Sequence, residues 1–233
     1  MALTDNLVAA WDFSGGSGST IADVINAIVL ALAGGADFSG GGLTCNASGE
    51  RASVTAPGTL KITGGALSFG VNVDVLATPD NYAPLIGCGY NAAFSNPYWG
   101  YGLIKNDSGF WAIDFNDGGT YTQLASTTAP TTGLQNFLVV VSNSARRIYR
   151  NGTLIAEATT TVAAPTYDTD AIFGVGNVPG AGNSQARLMQ GYVWAGDRSA
   201  DASAFNADPD GTDWAFAAGD PPPSNRIEFR AAA

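Results

Sequence analysis

The segment of residues 136–159, NFLVVVSNSARRIYRNGTLIAEAT, constrains the fold more than any other part of the chain. Phe137–Ser142 is an apolar, β-branched run, and Arg146–Arg150 alternates charged with apolar residues. Asn151-Gly152 follows directly, and this dipeptide is the strongest short-range signal of a two-residue β-hairpin turn. The pattern therefore predicts antiparallel strands joined by a tight turn, with Thr153–Thr159 as the returning strand.

Alternating and short apolar runs elsewhere also favour strands. Leu67–Val75, LSFGVNVDV, places five apolar side chains on one face, which predicts an interior strand with one buried and one wet side. Leu60–Thr63 and four runs between Ala83 and Leu124 have the length of short strands and are separated by turn residues, as in sandwiches. Residues 198–206 are expected to form a short helix. The fold class predicted from these patterns is all-β.

The opening of the chain adds a family resemblance. Leu7–Val24 reads LVAAWDFSGGSGSTIADV. Together with the central hairpin and Met189–Gly196 (MQGYVWAG), it resembles the laminin-G-like, concanavalin A-like lectin-glucanase jelly-roll family. The resemblance implies a two-sheet antiparallel β-sandwich over residues 1–208, a short C-terminal helix and membership in a family of binding modules. It also implies that Trp11 and Phe13 lie in the core.

Charge and composition exclude several classes of partner. Ten Lys and Arg against 20 Asp and Glu give a net charge of -10, so nucleic acid and anionic membranes are not expected partners. The first residues lack the positive region and sustained apolar run of a secretory signal. We therefore expect synthesis in the cytoplasm of a host cell without export, with an extracellular location as the alternative.

The sequence offers no catalytic constellation. Histidine is absent, which removes histidine-dependent triads and the usual general base. Glutamate occurs only at Glu50, Glu157 and Glu228, far from the paired spacing on one strand that laminarinase-type glucanases use. In the cluster from Asp114 to Asp117, Asp114 and Asn116 share a strand face, and a structural role is expected for them. The prediction is therefore a protein that is not an enzyme.

No cofactor is predicted, with calcium as the open alternative. Relatives often hold calcium through loop oxygens, and the candidates of that chemistry are scattered acidic and amide residues. These candidates are Asp12, Asp107, Asn116, Asp117 and Asp170. Cys45 and Cys88 are interpreted as two buried thiols, with a single disulfide as the alternative.

A group of aromatic residues is the best candidate for a ligand face. Carbohydrate recognition stacks sugar C–H faces on exposed rings beside Asn and Asp side chains. The group contains Tyr90, Tyr98, Trp99, Tyr101 and Trp111. The predicted carbohydrate site is Trp99, Tyr101 and Trp111 with Asn116 and Asp117. The alternative is that these rings fill the core or a subunit interface.

The C-terminal residues 209–233 are predicted to be a proline-rich linker and an anchoring tail. Pro221, Pro222 and Pro223 favour an extended spacer, and the RIEFR piece beyond it carries the alternating residues Arg226, Ile227 and Phe229. An isolated strand of this size is unstable in water, so it is expected to add to a sheet edge of this or another subunit.

These observations lead to two hypotheses of function. The first is a structural protein that decorates the surface of a larger assembly such as a virus (phage) particle, with a homo-oligomer or capsid-type protein as partner. The second is a carbohydrate-binding lectin or adhesion module, whether free or on that same particle. The two hypotheses are compatible, because a particle decoration can also hold glycans.

Overall fold

A computed structural model describes residues 2–90, 100–117, 120–161, 163–177 and 182–211, apart from the side chains of Tyr90 and Asp117. Within these residues the chain forms two antiparallel sheets and one short α-helix, which confirms the predicted β-sandwich. The described part of the chain has no helix long and apolar enough to cross a membrane.

The first sheet has eight strands within the described residues, in the order β14-β13-β12-β7-β16-β5-β4, with β1 also paired to β16. Their bounds are β1 (Leu7–Asp12), β4 (Asp37–Phe38), β5 (Leu43–Cys45), β7 (Leu67–Val75), β12 (Gly133–Val141), β13 (Arg146–Arg150), β14 (Thr153–Ala158) and β16 (Ala186–Trp194). One edge of β16 pairs with β7, and its other edge is divided between β5 and β1. The N-terminal strand therefore joins the sheet through a strand near the end of the domain.

The second sheet also has eight strands in the described ranges, in the order β11-β10-β9-β8-β15-β6-β3-β2. Their bounds are β2 (Thr20–Ala22), β3 (Val29–Ala33), β6 (Arg51–Thr55), β8 (Ala83–Tyr90), β9 (Tyr101–Lys105), β10 (Trp111–Asp117), β11 (Thr120–Ala125) and β15 (Ile172–Gly176). The expected strand at Leu60–Thr63 is wrong, because Gly58–Leu60 is a 3-10 turn whose Leu60 is buried. Leu60 thus contributes to the core without joining a ladder.

The central hairpin has the predicted turn. Asn151 and Gly152 both adopt positive φ, 50° and 73°, as a type I′ turn requires. The Asn151 backbone N–H donates to the Asn136 carbonyl, and the Asn136 N–H donates to Asn151 Oδ1, each at 2.8 Å. The side chain of Asn151 therefore fastens the turn to the neighbouring strand β12.

The core lies between the two sheets. The five apolar side chains of β7 are each at most 2% exposed and belong to one buried cluster, as the alternation predicts. Trp11 on the first sheet stacks on Phe173 of the second, with ring centroids 4.9 Å apart. The predicted core residue Phe13 is also fully buried. Contacts of this kind hold the sheets face to face.

The outer face of the first sheet is covered at one end, which corrects the expectation of one wet side on β7. The helix α1 (Ala202–Ala207) places Phe205 over Trp194, with ring centroids 6.0 Å apart. Ser68 and Gly70 of β7 are buried beneath this second cluster. A Cβ on Gly70 would lie 2.9 Å from Phe205 Cζ, so glycine gives the helix room to pack.

The two cysteines are free and buried, as the first interpretation expects. Burial raises the pKa of Cys45 to about 12, and burial also raises the pKa of Cys88. Both thiols therefore stay protonated at neutral pH, a state that is a poor nucleophile and a poor metal ligand.

Candidate functional site

The structure corrects the predicted aromatic platform. The rings of Tyr101 and Trp111 are both 0% exposed: Tyr101 packs on Phe69, and Trp111 packs edge-on against Phe137. Enclosed rings offer no surface on which a sugar could stack. These two residues therefore fill the core, which was the alternative interpretation.

The remaining members of the predicted site are placed only in part. Asn116 is 2% exposed, and its Oδ1 accepts a hydrogen bond from Thr166 Oγ1 at 2.9 Å. Trp99 lies outside the described residues, and so does the side chain of Asp117. The role predicted for these two residues stays a prediction.

Strand β10 turns a polar row to the outer face of the second sheet. Trp111, Ile113 and Phe115 belong to the core, so the alternate residues Asp114 and Asn116 share the opposite face, as predicted. In the pairing with β11, Gln123 lies opposite Asp114 and Tyr121 opposite Asn116. A polar group built from two strands therefore forms on this face.

Hydrogen bonds tie this group together around Asp114. Asp114 Oδ1 accepts from the Tyr121 hydroxyl and from Gln123 Nε2, each at 2.8 Å. Asn106 Nδ2 donates to Gln123 Oε1 at 3.0 Å, so the loop after β9 is part of the network. Asp114 is only 3% exposed, yet none of the ion pairs within the described residues includes it.

Two exposed tyrosines accompany the network. Tyr82 is 51% and Tyr121 45% exposed. In the described part of the chain, they are the two aromatic residues among the exposed large hydrophobic side chains. Tyr82 holds a positive φ of 58°, an uncommon conformation for a bulky residue that is found preferentially at functional sites. The nearby carboxylate of Asp107, the neighbour of Asn106, raises the pKa of Tyr82. We call Tyr82, Asp107, Asp114, Tyr121 and Gln123 the Asp114 face.

The Asp114 face is electrostatically negative. Burial raises the pKa of Asp114 to about 6, although the hydrogen bonds from Gln123 and Tyr121 act in the opposite direction. Burial, followed by the charge of Asp114, raises the pKa of Tyr121. Lys105 on β9 donates to Asn81 Oδ1 at 2.7 Å and pairs with the inward-facing Trp111. Asp114 is therefore ionised near neutral pH, and its burial makes this charge costly in free energy.

The described carboxylates do not converge on a cation. In residues 2–90, 100–117, 120–161, 163–177 and 182–211, no group of three or more His, Cys, Asp or Glu could hold a metal ion. Asp12 Oδ1 accepts from the Ser14 hydroxyl in the turn that follows β1 and from Gln190 Nε2 on the paired strand β16. Asp170 is exposed on the surface. Calcium binding stays an untested alternative.

The two described glutamates have structural contacts. Glu50 Oε2 accepts the backbone N–H groups of Asn46 and Ala47 at 2.7 and 2.8 Å. Glu157 pairs with Arg147 at 2.6 Å. The third glutamate, Glu228, and the predicted tail residues from Pro221 to Phe229 lie outside the described residues.

The sequence signal for the Asp114 face was present but incomplete. Trp111 and Asn116 are five positions apart in one strand, so they must lie on opposite faces and cannot line one site. The shared face of Asp114 and Asn116 was the correct clue. Tyr121 and Gln123 join it only through the strand register, and Tyr82 joins it through the packing of a loop.

Comparison with known proteins identifies the family. The model of the concanavalin A-like lectin/glucanases superfamily (Laminin_G_3) matches residues 48–219. No curated protein matches the chain.

Solved structures share the fold at low identity. Trypanosoma rangeli sialidase is 16% identical with a TM-score of 0.69, over 90% of this chain and 34% of the sialidase. The binding domain of Botulinum neurotoxin DC, solved in complex with rat synaptotagmin II, is 12% identical with a TM-score of 0.64, over 89% of this chain and 52% of that one. The same domain was also solved in complex with SialylT, at 11% identity and a TM-score of 0.62, over 88% of this chain and 52% of that one. The chain thus spans about a third of the sialidase.

Proposed function

We propose that this chain, which belongs to the concanavalin A-like lectin/glucanases superfamily, is a non-catalytic interaction module that binds carbohydrate through the Asp114 face. The observation that carries the proposal is the pair of exposed rings, Tyr82 and Tyr121, beside a fixed network of carboxylate and amide groups. Aromatic rings supply stacking area at little conformational cost, and rigid polar groups fix the orientation of a ligand. A module with both features can recognise the two faces of a sugar, one apolar and one polar.

The fold neighbours support binding without deciding the ligand. The toxin binding domain was solved with rat synaptotagmin II and with SialylT, and one of the neighbours is a sialidase. Most glycoside hydrolases set two carboxyl groups across the scissile bond, whereas sialidases use a tyrosine as nucleophile. On the Asp114 face, burial and the charge of Asp114 raise the pKa of Tyr121, and the nearby Asp107 raises the pKa of Tyr82, so neither hydroxyl is activated as a nucleophile. We therefore favour binding over turnover.

Removing either exposed ring is expected to weaken glycan binding. Tyr82→Ala and Tyr121→Ala each remove one stacking surface, which is worth about 0.5 to 1.5 kcal/mol and so about a twofold to twelvefold change in Kd. A glycan array identifies the ligand, and titration calorimetry measures the change. Leu134→Ala is the matched control, because Leu134 is 69% exposed on the other sheet.

Two results contradict this proposal. One is the absence of binding to every glycan on the array by the unaltered chain, with and without calcium. The other is hydrolysis of a β-glucan that is lost in Asp114→Asn, since this would make the face an active site.

The role in an assembly is a second part of the proposal, and it depends on the composition of the tail. Ile227 and Phe229 alternate with charged residues beyond three prolines, a pattern suited to strand addition at the sheet edge of a neighbour. The net charge of -10 favours a soluble, exposed position on a particle. We propose a surface decoration of a virus particle, with an extracellular location as the alternative.

Deleting residues 221–233 tests the assembly role. The variant is expected to lose incorporation into the particle while its thermal unfolding stays within about 2 °C of the full chain, since a small free-energy change moves the midpoint little. Co-sedimentation with particles measures incorporation. Substitution of Ile227 and Phe229 by serine in the full chain is the matched control, because it keeps the length of the tail and removes its two apolar side chains. Incorporation of the truncated chain at the level of the full chain would exclude the tail as an anchor.

A further inference from the structure

The Asp114 carboxylate has a charge that its surroundings do not balance. Its two hydrogen bonds, from Tyr121 and Gln123, both end on Oδ1, and Oδ2 accepts none from the described residues. Asp107, the other carboxylate of the face, adds a second negative charge. A buried, ionised carboxylate without a cationic partner costs free energy that an incoming cation would recover.

The aromatic residues of the face suit the same kind of ligand group. Tyr82 and Tyr121 are close enough to influence each other electrostatically, and both are influenced by Asp114. A ring face attracts an ammonium group, and this attraction strengthens where water is partly excluded. An anionic sugar would be repelled by the two carboxylates at this position. None of the ion pairs in the described residues supplies a cation there.

On these grounds, and resting on the proposed carbohydrate function, we propose that the Asp114 face selects glycans that carry a free, protonated amino group. The ammonium group of a deacetylated hexosamine would sit on Asp114 Oδ2, beside the rings of Tyr82 and Tyr121. Gln123 and Asn106 would hold the orientation of Asp114 through the network already described. Sialylated glycans are disfavoured by the same charges.

The test compares sugars that differ in the amino group. The full chain is titrated at about pH 6.5, below the ordinary pKa of amino groups, with a β-1,4-glucosamine tetramer and with its fully N-acetylated counterpart. The free-amine tetramer is expected to bind at least tenfold more tightly. Sialyllactose is expected to bind more weakly than lactose. The preference for the amine should persist between low and high salt, because salt screens a largely buried ionic contact much less than an exposed one.

Variants separate the charge from the shape of the face. Asp114→Asn keeps the size of the side chain and is expected to abolish the preference for the amine. Asp37→Asn makes the same change on the edge strand β4 of the other sheet and should leave the preference unchanged. The titratable and charged groups that surround Asp114 are Tyr121, Tyr82 and Asp107, with Lys105 on the inward side of β9.

The outcomes distinguish this inference from the function on which it rests. Equal or tighter binding of the N-acetylated tetramer overturns the inference and leaves carbohydrate binding intact. Tighter binding of a lysine pentapeptide than of the glucosamine tetramer also overturns it, in favour of a protein ligand. No binding of any sugar overturns both.

Discussion

Asp114→Asn is expected to stabilise the protein near neutral pH and to remove part of the pH dependence of its stability. Burial raises the pKa of Asp114 from 3.8 to about 6. Between these values the folded state binds more protons than the unfolded state, so the free energy of unfolding falls as pH rises. The full penalty above about pH 6 is about 3 kcal/mol, because one pKa unit corresponds to about 1.4 kcal/mol.

The sign of this effect distinguishes Asp114 from an ordinary surface carboxylate. Urea unfolding of the unaltered chain and of Asp114→Asn should agree near pH 4 and diverge as pH approaches 7, with the variant about 1 to 3 kcal/mol more stable. Asp37→Asn is the control and should show no such divergence. A variant that is less stable than the unaltered chain at pH 7 would mean that Asp114 supports the fold. A stability gain on removing a charge is typical of residues retained for binding.

Trp11→Ala is expected to lower the free energy of unfolding by about 3 to 5 kcal/mol, as for other large buried aromatic residues. Trp11 is 1% exposed, stacks on Phe173 across the sandwich, and donates from Nε1 to the Ile28 carbonyl at 3.2 Å. The substitution therefore removes a contact between the sheets and leaves a cavity. Urea unfolding followed by circular dichroism measures the loss.

The conservative variant Trp11→Phe shows how much of this effect comes from the ring. Phenylalanine keeps a stacking surface against Phe173 and loses the hydrogen bond to Ile28, so a smaller cost of about 1 to 2 kcal/mol is expected. Equal costs for the two variants would assign the effect to the hydrogen bond. A loss below about 1 kcal/mol for Trp11→Ala would contradict the role of Trp11 as a core contact.

The sequence predicted local structure well where one strand or one turn carried the whole signal. Asn151-Gly152 requires positive φ at both positions, so the turn type follows from two residues. The alternation over Leu67–Val75 identifies the buried face of β7 without knowledge of its neighbours. Leu60–Thr63 was misread because a short apolar run is equally compatible with a buried turn.

The candidate site was harder to predict because its residues come from separate elements. Alternation in β10 separates Trp111 from Asp114, but it does not say which face meets the other sheet. Tyr121 and Gln123 reach Asp114 only because β11 pairs with β10 in one register. The platform predicted on Tyr101 and Trp111 failed because both rings turn inward.

The sequence by itself determined the antiparallel strands, the hairpin turn and the family, since these depend on residue spacing within short segments. Only the tertiary structure decided that Asp114 is enclosed without a cation and that Tyr82 and Tyr121 remain exposed beside it. Burial and electrostatic environment depend on residues distant in the chain, and packing of the two sheets is what brings those residues together.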